Sequence, residues 1–249
     1  MRFTDKVALV TGGGTGIGRT TAIAFAAEGA RVLVSGFDDE PLRQTVKTIE
    51  AEGGTAAWFT GDMRDENDAQ AMVTAVVDRF GGLDVAFNNA GLMVGGRVAD
   101  LEMTQWTTAL SIATGTWLSM KYEIAHMREH GGGAIVNMSS IIGPHRAIPG
   151  TGAYAAAKAA ITALTRTAAV EHIGDGIRIN AVSPGPIGTP FSLIRNETEA
   201  EQAVRMRTTL PIGRVGTVSE VAGTVLWLAS PDAGFTVGAD IVIDGGSTA

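Results

Sequence analysis

The chain of 249 residues is long enough for one large domain with a substantial core, and its 45% hydrophobic and 18% charged residues are ordinary for a globular protein. Its net charge of -7 argues against a nucleic acid as partner, and its lack of cysteine excludes disulfides and thiolate metal ligands. It has no run of about 18 apolar residues and its first residues, MRFTDK, lack an apolar core, so we expect no membrane partner and a cytoplasmic location.

The first predicted unit is a strand, a glycine-rich turn and a helix. Residues 6–10 form an apolar run typical of a buried strand, TGGGTGIG follows at 11–18, and residues 19–28 have a helical pattern. Glycines in such a turn let the backbone approach a pyrophosphate, whose negative charge the amino end of the helix favours. A flexible linker would not be framed by a strand and an amphipathic helix. The unit therefore predicts a dinucleotide site.

Apolar runs then alternate with helical patterns along the chain. Further strands are predicted at 31–34, 56–59, 83–87, 134–138, 177–182 and 241–243. Helices are predicted at 40–52, 66–80, 103–130, from 154 onward and at 219–230. This alternation predicts an α/β fold with a doubly wound parallel sheet. Residues 1–249 form a single domain in this interpretation, with a mobile helical lid at about 190–211.

The segment from Ser139 to Lys158 carries the candidate chemistry. Tyr154 and Lys158 stand four residues apart in an alanine-rich run, so on a helix they share one face. An ammonium beside a phenol lowers the phenol's pKa from about 10, which would let Tyr154 exchange protons near neutral pH. Ser139 and Ser140 follow a predicted strand, at the edge where open α/β sheets bind ligands. The spacing Tyr-x-x-x-Lys also occurs by chance on surface helices, so by itself it is weak evidence for a catalytic pair.

Several motifs in the same order resemble the short-chain dehydrogenase/reductase family. They are TGGGTGIG at 11–18, NNAG at 88–91, a serine before YAAAK at 154–158, and PGPIGTP at 184–190. The resemblance implies a single Rossmann-type domain, NAD or NADP as cofactor, and interconversion of a secondary alcohol and a ketone. Two alternatives are a cofactor-binding protein that has lost catalysis and an isomerase or epimerase of related fold.

The resemblance also implies roles for individual residues. Ser140 would polarise the substrate oxygen, Tyr154 would donate or accept its proton, and Lys158 would bind the nicotinamide ribose and lower the tyrosine pKa. Ser140 is preferred to Ser139 because two apolar residues and a glycine follow it. Besides Tyr154 and Lys158, the implied cofactor contacts are Gly12, Gly14, Thr15, Gly16, Ile17, Gly18, Phe37, Asp62, Met63, Asn88, Ala90, Gly91, Pro184, Gly185, Ile187 and Thr189. For Asp62, which would bind the adenine, a helix cap is the alternative.

The end of the second strand bears on the choice between NAD and NADP. The aspartate common in NAD-dependent relatives is absent at Gly36, and the basic residue common in NADP-dependent ones is absent at Phe37. A 2'-phosphate would instead face Asp38 and Asp39. The sequence therefore favours NAD.

The substrate is predicted only as a small-molecule alcohol or ketone. Residues 92–100, a loop at 144–152 that contains His145 and Arg146, and the lid would line its cleft. The lid's apolar residues would need a ligand to cover them; they are Phe191, Leu193, Ile194 and Met206. The four histidines show no metal spacing, so no metal site is expected. The helix at 103–130 and the one after Tyr154 are the family's usual dimerising pair, which implies a homodimer or homotetramer.

One departure from the family lies on the helix at 103–130. Relatives usually carry an asparagine there, whose bound water links the lysine to solvent. Seven residues after Trp106 stands Ala113, and three before Gly115 stands Ile112, as a one-residue deletion would produce. Unless Ser111, Thr114 or a freed backbone carbonyl replaces the asparagine, we expect slow proton exchange and low turnover with near-normal cofactor binding.

Overall fold

The computed structural model describes residues 1–192 and 197–249, and a parallel sheet organises them. Its strands in this part of the chain are β1 (Val7–Thr11), β2 (Arg31–Gly36), β3 (Thr55–Thr60), β4 (Val85–Asn88), β5 (Gly133–Met138), β6 (Ile177–Pro184) and β7 (Asp240–Ile243). They lie in the order β3-β2-β1-β4-β5-β6-β7. The predicted doubly wound sheet is therefore confirmed.

Helices cover both faces of the sheet. Their bounds are α1 (Gly16–Ala27), α2 (Asp39–Ala51), α3 (Glu66–Phe80), α4 (Met103–Glu129), α5 (Gly152–His172), α6 (Glu199–Thr209) and α7 (Val218–Ala229). Ala8 and Val10 of β1 pack in a core with α1 and α7, whereas Val7 and Leu9 pack in a second core with α3 and α4. The alternation follows from the two-residue period of a strand, and it makes every central strand apolar on both faces.

The sequence placed most elements to within two residues. The predicted helix at 66–80 has the same limits in the structure, α1 begins three residues before the predicted 19–28, and the other predicted ends differ by at most two residues. Such shifts are expected because the first and last turns of a helix make fewer hydrogen bonds than its middle.

The predicted lid contains a short 3-10 turn at Pro190–Ser192 and helix α6. Leu193 and Ile194, which the sequence assigns to the lid, lie outside the described residues. Met206 is buried by the protein itself, so the expectation that it needs a ligand to cover it is wrong. Phe191 remains about half exposed, as a residue that faces a cleft would be.

The strand order places a crevice at the centre of the sheet. The chain moves outward from β1 through β2 to β3, and then returns to pair β4 with the other side of β1. Ligands bind outside the carboxyl ends of the strands at such a switch point. The glycine turn after β1, the NNAG segment after β4 and Ser140 after β5 all come to this edge.

Candidate active site

The glycine turn after β1 is pressed against the start of α1. A Cβ on Gly18 would lie 2.2 Å from the Gly12 carbonyl oxygen, so only glycine permits this close approach. Gly12 has a φ of 63°, in the left-handed region that glycine tolerates best. The amino end of α1 therefore faces the crevice, together with the N–H groups that have no partner within the helix. Such a helix end is suited to binding an anion.

A cavity of about 170 Å³ opens beside this turn. It lies between the turn, the end of β2 and the segments that follow β3 and β4, and it has the position expected for the adenosine half of a dinucleotide. Its lining is Thr11, Gly12, Gly14, Thr15, Ser35, Gly36, Phe37, Asp38, Pro41, Leu42, Gly61, Met63, Ala90 and Gly91. Of the sequence-predicted contacts, Gly12, Gly14, Thr15, Phe37, Met63, Ala90 and Gly91 are therefore brought together here.

Asp62 does not cap helix α3, so that alternative is wrong. The cap is Asp65, whose carboxylate accepts hydrogen bonds from the N–H groups of Asn67 and Asp68. Asp62 is instead bound by Arg64, whose guanidinium donates to both carboxylate oxygens at 2.8–3.0 Å. The hydrogen bond from Arg64 holds the pKa of Asp62 below its ordinary value.

Arg64 is a residue that sequence reasoning missed at the cofactor site. Its guanidinium lies 5.0 Å from the ring centroid of Phe37, at the end of β2. Phe37 and Arg64 are 27 positions apart in sequence, and the pairing of β2 with β3 brings them together. No local sequence pattern predicts this contact, because it depends on how β2 and β3 are paired.

The side chain of Asn88 faces the interior and not the cavity. Its amide donates to Glu123 on α4 at 2.9 Å and to Asn137 on β5 at 3.0 Å, and Asn137 in turn donates to Thr165 on α5. Any contact of Asn88 with a cofactor would thus come from its backbone. Its amide steadies the central strands and the segment that follows β4.

Glu123 is a buried carboxyl group within this network. Burial raises its pKa to about 8, against which the hydrogen bond from Asn88 acts only in part. The group is therefore protonated and neutral at pH 7. Its burial is not visible in the sequence, because a glutamate on a long amphipathic helix is ordinarily exposed.

Ser140, Tyr154 and Lys158 meet at the carboxyl end of β5, where all three are buried. Tyr154 and Ser140 share a hydrogen bond. The Lys158 ammonium lies 5.7 Å from the ring centroid of Tyr154 and donates to the carbonyl of Met138 at 2.7 Å. The predicted common helical face for the tyrosine and lysine is thus present on α5.

The choice between the two serines follows from their partners. The hydroxyl of Ser139 donates to the carbonyl of Lys158 at 3.1 Å and lies 2.7 Å from the hydroxyl of Thr162, inside the protein. The hydroxyl of Ser140 accepts from the N–H of Ile142 at 3.1 Å and faces Tyr154. Ser139 therefore joins β5 to α5, whereas Ser140 is the serine that contacts Tyr154.

The expected lowering of the tyrosine pKa is not found. Burial raises the pKa of Tyr154 to about 12, and the hydrogen bond from Ser140 offsets only part of that effect. Burial also lowers the pKa of Lys158 to about 8, so the ammonium is itself poorly solvated. The tyrosine–lysine spacing shows the neighbouring charge but not the free-energy cost of burying the charged form of each group.

The residues from 184 to 191 close over the crevice from the other side. A Cβ on Gly185 would lie 2.9 Å from Asp244, so this glycine lets two chain segments touch. A Cβ on Gly16 would lie 3.5 Å from the methyl group of Thr189, which places Thr189 beside the glycine turn. Phe191 follows, with its ring centroid 6.2 Å from that of Tyr154.

The position of the missing asparagine is apolar. Ile112 and Ala113 pack with Ile161 of α5, one turn after Lys158, and α4 is helical throughout. Ser111 donates its hydroxyl hydrogen to the carbonyl of Thr108, and Thr114 is exposed. Neither hydroxyl replaces an asparagine that faces the lysine.

Of the polar side chains in the 144–152 loop, His145 and Arg146 bond to distant parts of the chain, and Thr151 donates to the carbonyl of Ile148. Nε2 of His145 donates to Asp240 at 2.8 Å, and Arg146 donates to the hydroxyl of Ser247. Both partners belong to the carboxyl-terminal part of the chain. The side chains of His145 and Arg146 are thereby hydrogen-bonded within the protein, and both residues remain exposed.

Comparisons with known proteins agree with this arrangement. A family model described as enoyl-(acyl carrier protein) reductase matches residues 12–248. A cyclohexanol dehydrogenase of Acinetobacter sp. (strain SE19) is 41% identical, with 99% of this chain and 96% of that protein covered. A 2,5-dichloro-2,5-cyclohexadiene-1,4-diol dehydrogenase of Sphingobium indicum is 40% identical, with 99% and 98% covered.

Solved structures are similar over the whole chain as well. Levodione reductase matches with a TM-score of 0.93 and 36% identity, with 99% of each chain covered. A blue fluorescent protein from a metagenomic library, solved in complex with NADPH, matches with a TM-score of 0.91 and 29% identity, with 100% of each chain covered.

Proposed function

Because this chain belongs to the short-chain dehydrogenase/reductase family and is an NAD(P)-dependent oxidoreductase of secondary alcohols and ketones, we propose that it acts on a six-membered alicyclic alcohol or ketone with Ser140, Tyr154 and Lys158 as its catalytic residues. The observation that carries this proposal is the meeting of these three side chains at the end of β5, next to the crevice. Two relatives named above act on cyclohexanol and on a cyclohexadiene diol.

The described walls of the cleft favour an uncharged, apolar substrate. Phe191 is about half exposed beside Tyr154, and Leu92 and Met93 follow the NNAG segment at the same edge. His145 and Arg146, the polar residues of the facing loop, are bound to Asp240 and Ser247. A ring of methylene groups can pack against such walls without leaving a polar group unsatisfied. We further propose that the described parts of the segment 190–211, residues 190–192 and 197–211, form a lid over this substrate.

The chain's own residues can carry out the proton transfer. Ser140 holds the substrate oxygen and Tyr154 exchanges a proton with it, while the bound nicotinamide supplies or accepts the hydride. With a pKa near 12, Tyr154 is a neutral phenol at pH 7, ready to donate a proton to a ketone oxygen. Oxidation of an alcohol needs the phenolate, so its rate should rise with pH. Lys158 would stabilise that phenolate while its own amine is protonated, and the lowering of the Lys158 pKa to about 8 by burial confines this effect to pH values near or below 8.

The residues of the crevice fit a nicotinamide dinucleotide, and we propose NAD as the preferred form. The glycine turn and the amino end of α1 would hold the pyrophosphate, and Ala90 and Gly91 would lie along the adenosine. Near the ribose, the Arg64 guanidinium is already bound by Asp62, Asp39 is paired with Arg43, and Asp38 adds negative charge to the cavity lining. A 2'-phosphate would therefore meet carboxylates and an arginine that is already paired.

A homodimer or homotetramer is also proposed. Met103, Trp106 and Trp117 lie on one side of α4 and are exposed, and Val170 of the adjoining α5 is exposed too. A second copy of the chain would cover this apolar side.

None of the helices in the described ranges combines the length and the apolar character needed to cross a membrane.

A substrate panel tests the proposed function. The purified protein is mixed with NAD or NADP and with cyclohexanol, 2-hexanol, a hydroxycyclohexanecarboxylate or a sugar alcohol, and nicotinamide absorbance is followed at 340 nm. We expect the highest kcat/KM for cyclohexanol with NAD. A higher value for the carboxylate or the sugar alcohol would contradict the apolar cleft. No net absorbance change with any alcohol or its ketone would favour a catalytically impaired protein or an isomerase.

A further inference from the structure

His145 joins the loop after Ser140 to the last strand of the sheet. Its Nε2–H donates to Oδ2 of Asp240 at 2.8 Å, and 95 positions separate the two residues in sequence. The Asp240 side chain is 2% exposed, whereas that of His145 is 25% exposed. The histidine thus reaches from the rim of the cleft to a buried carboxylate on β7.

Asp240 is the centre of a hydrogen-bonded group. Its Oδ1 accepts from the hydroxyl of Ser183 at 2.6 Å, and the Thr162 hydroxyl lies 3.4 Å from its Oδ2. Thr162 also lies 2.7 Å from the hydroxyl of Ser139, which neighbours Ser140. A buried carboxylate needs such donors, because a charge removed from water is strongly unfavourable unless it is hydrogen-bonded. His145 supplies the donor that comes from the loop.

The same loop sets the orientation of Ser140. The N–H groups of His145 and Arg146 both donate to the carbonyl of Ile141, at 3.1 and 2.8 Å, and so form a tight turn. Near the start of this turn, the N–H of Ile142 donates to the Ser140 hydroxyl at 3.1 Å. This bond occupies a lone pair of Ser140 and leaves its hydrogen free for a substrate or for Tyr154.

We propose that His145 is a positioning residue, which holds the turn at 141–146 against Asp240 and thereby orients the Ser140 hydroxyl toward the substrate oxygen. This inference rests on the assignment of Ser140 made above. Without the bond to Asp240, the turn loses its attachment to β7 and keeps its bonds to Pro184 and Ser247. The turn then shifts, and with it the Ile142 N–H that orients the Ser140 hydroxyl. Cofactor binding is unaffected, because the contacts that line the adenosine cavity lie elsewhere.

The test compares variants at this position by steady-state kinetics. The probe is cyclohexanol with NAD, or the alcohol of the panel that is oxidised fastest. For His145→Ala we expect kcat to fall by about ten- to hundredfold, as for other displaced catalytic groups, with the Kd of the cofactor within about twofold of the unaltered protein. His145→Gln should recover most of the rate, since its amide nitrogen reaches the position of Nε2. His145→Asn is too short and should stay as slow as His145→Ala.

A matched control is His172→Ala. His172 also pairs with an aspartate, Asp175, at 2.9 Å and three residues along the chain. It is the last residue of α5, at the opposite end of that helix from Tyr154. Its removal should leave kcat unchanged, whereas a loss equal to that of His145→Ala would overturn the proposal. Equal rates for the glutamine and asparagine variants, both folded, would overturn it also.

Ser140→Ala separates this inference from the assignment beneath it. If Ser140→Ala is inactive and His145→Ala has the rate of the unaltered protein, the positioning role is wrong and the catalytic assignment stands. If Ser140→Ala keeps its activity, both are wrong. Should His145→Ala fail to fold, the comparison of His145→Gln with His145→Asn decides between the same outcomes.

Discussion

Replacing the buried carboxyl group of Glu123 by an amide should make the stability of the protein less sensitive to pH. Glu123→Gln keeps an oxygen that can accept the hydrogen bond from Asn88 and removes the group that titrates. Burial raises the pKa of Glu123 from 4.5 to about 8 in the folded protein, whereas the unfolded chain retains the ordinary value. Between these two pH values only the folded state holds the proton.

The size of the effect follows from this difference. Where the folded state binds one more proton than the unfolded state, the free energy of unfolding falls by about 1.4 kcal/mol for each unit by which the pH rises. From pH 4.5 to 8 the total is about 5 kcal/mol, which is a large part of the stability of a typical domain. Glu123→Gln avoids this loss, so its stability relative to the unaltered protein should increase across the same range.

Urea unfolding at pH 5, 6, 7 and 8, followed by tryptophan fluorescence at equal protein concentration, measures the difference. Glu66→Gln is the control: hydrogen bonds from Lys121 and Tyr122 lower the pKa of Glu66, so its titration lies below this range. We expect the Glu123→Gln advantage to grow steadily from pH 5 to 8 and the Glu66→Gln difference to stay constant. Parallel stability curves for Glu123→Gln and the unaltered protein would refute the reasoning.

Three further predictions concern the cofactor and turnover. Lys158→Met should raise the Kd of NAD and lower kcat, since the same ammonium group binds the nicotinamide ribose and assists Tyr154. A change in only the Kd or only kcat would contradict this dual role. NAD should bind more tightly than NADP in direct titrations, and Phe37→Arg should shift the preference toward NADP; tighter binding of NADP by the unaltered protein would show that Arg64 supplies the missing charge. Insertion of asparagine between Ile112 and Ala113 should raise kcat, and an unchanged or lower kcat in a folded protein would mean that the proton relay is satisfied in another way.

The fold was predictable because its signals are local and repeated. Strands at the centre of a parallel sheet are apolar on both faces, so runs such as 134–138 are visible in the sequence. The glycine turn and Tyr154 with Lys158 were visible for a similar reason: each motif lies within a few residues, and its geometry follows from one turn or one helix.

The remaining features depend on contacts between distant segments and on burial. Arg64 reaches Phe37 only through the pairing of β3 with β2, and His145 reaches Asp240 only after β7 has joined the sheet. The pKa of Tyr154 was predicted in the wrong direction because the spacing shows the neighbouring charge but not the depth of burial. Asp65, and not Asp62, caps α3, since the choice between them depends on where the first turn begins.

The central claim is that Tyr154 transfers the substrate proton, and Tyr154→Phe tests it most directly. The exchange removes one hydroxyl from a buried ring and leaves its packing with Phe191 in place. Initial rates of cyclohexanol oxidation with NAD are measured for both proteins, together with the Kd of NAD. We expect an unchanged Kd and a kcat lower by about 10²- to 10⁴-fold, the usual contribution of a general acid or base. A kcat within a few-fold of the unaltered protein would contradict that claim.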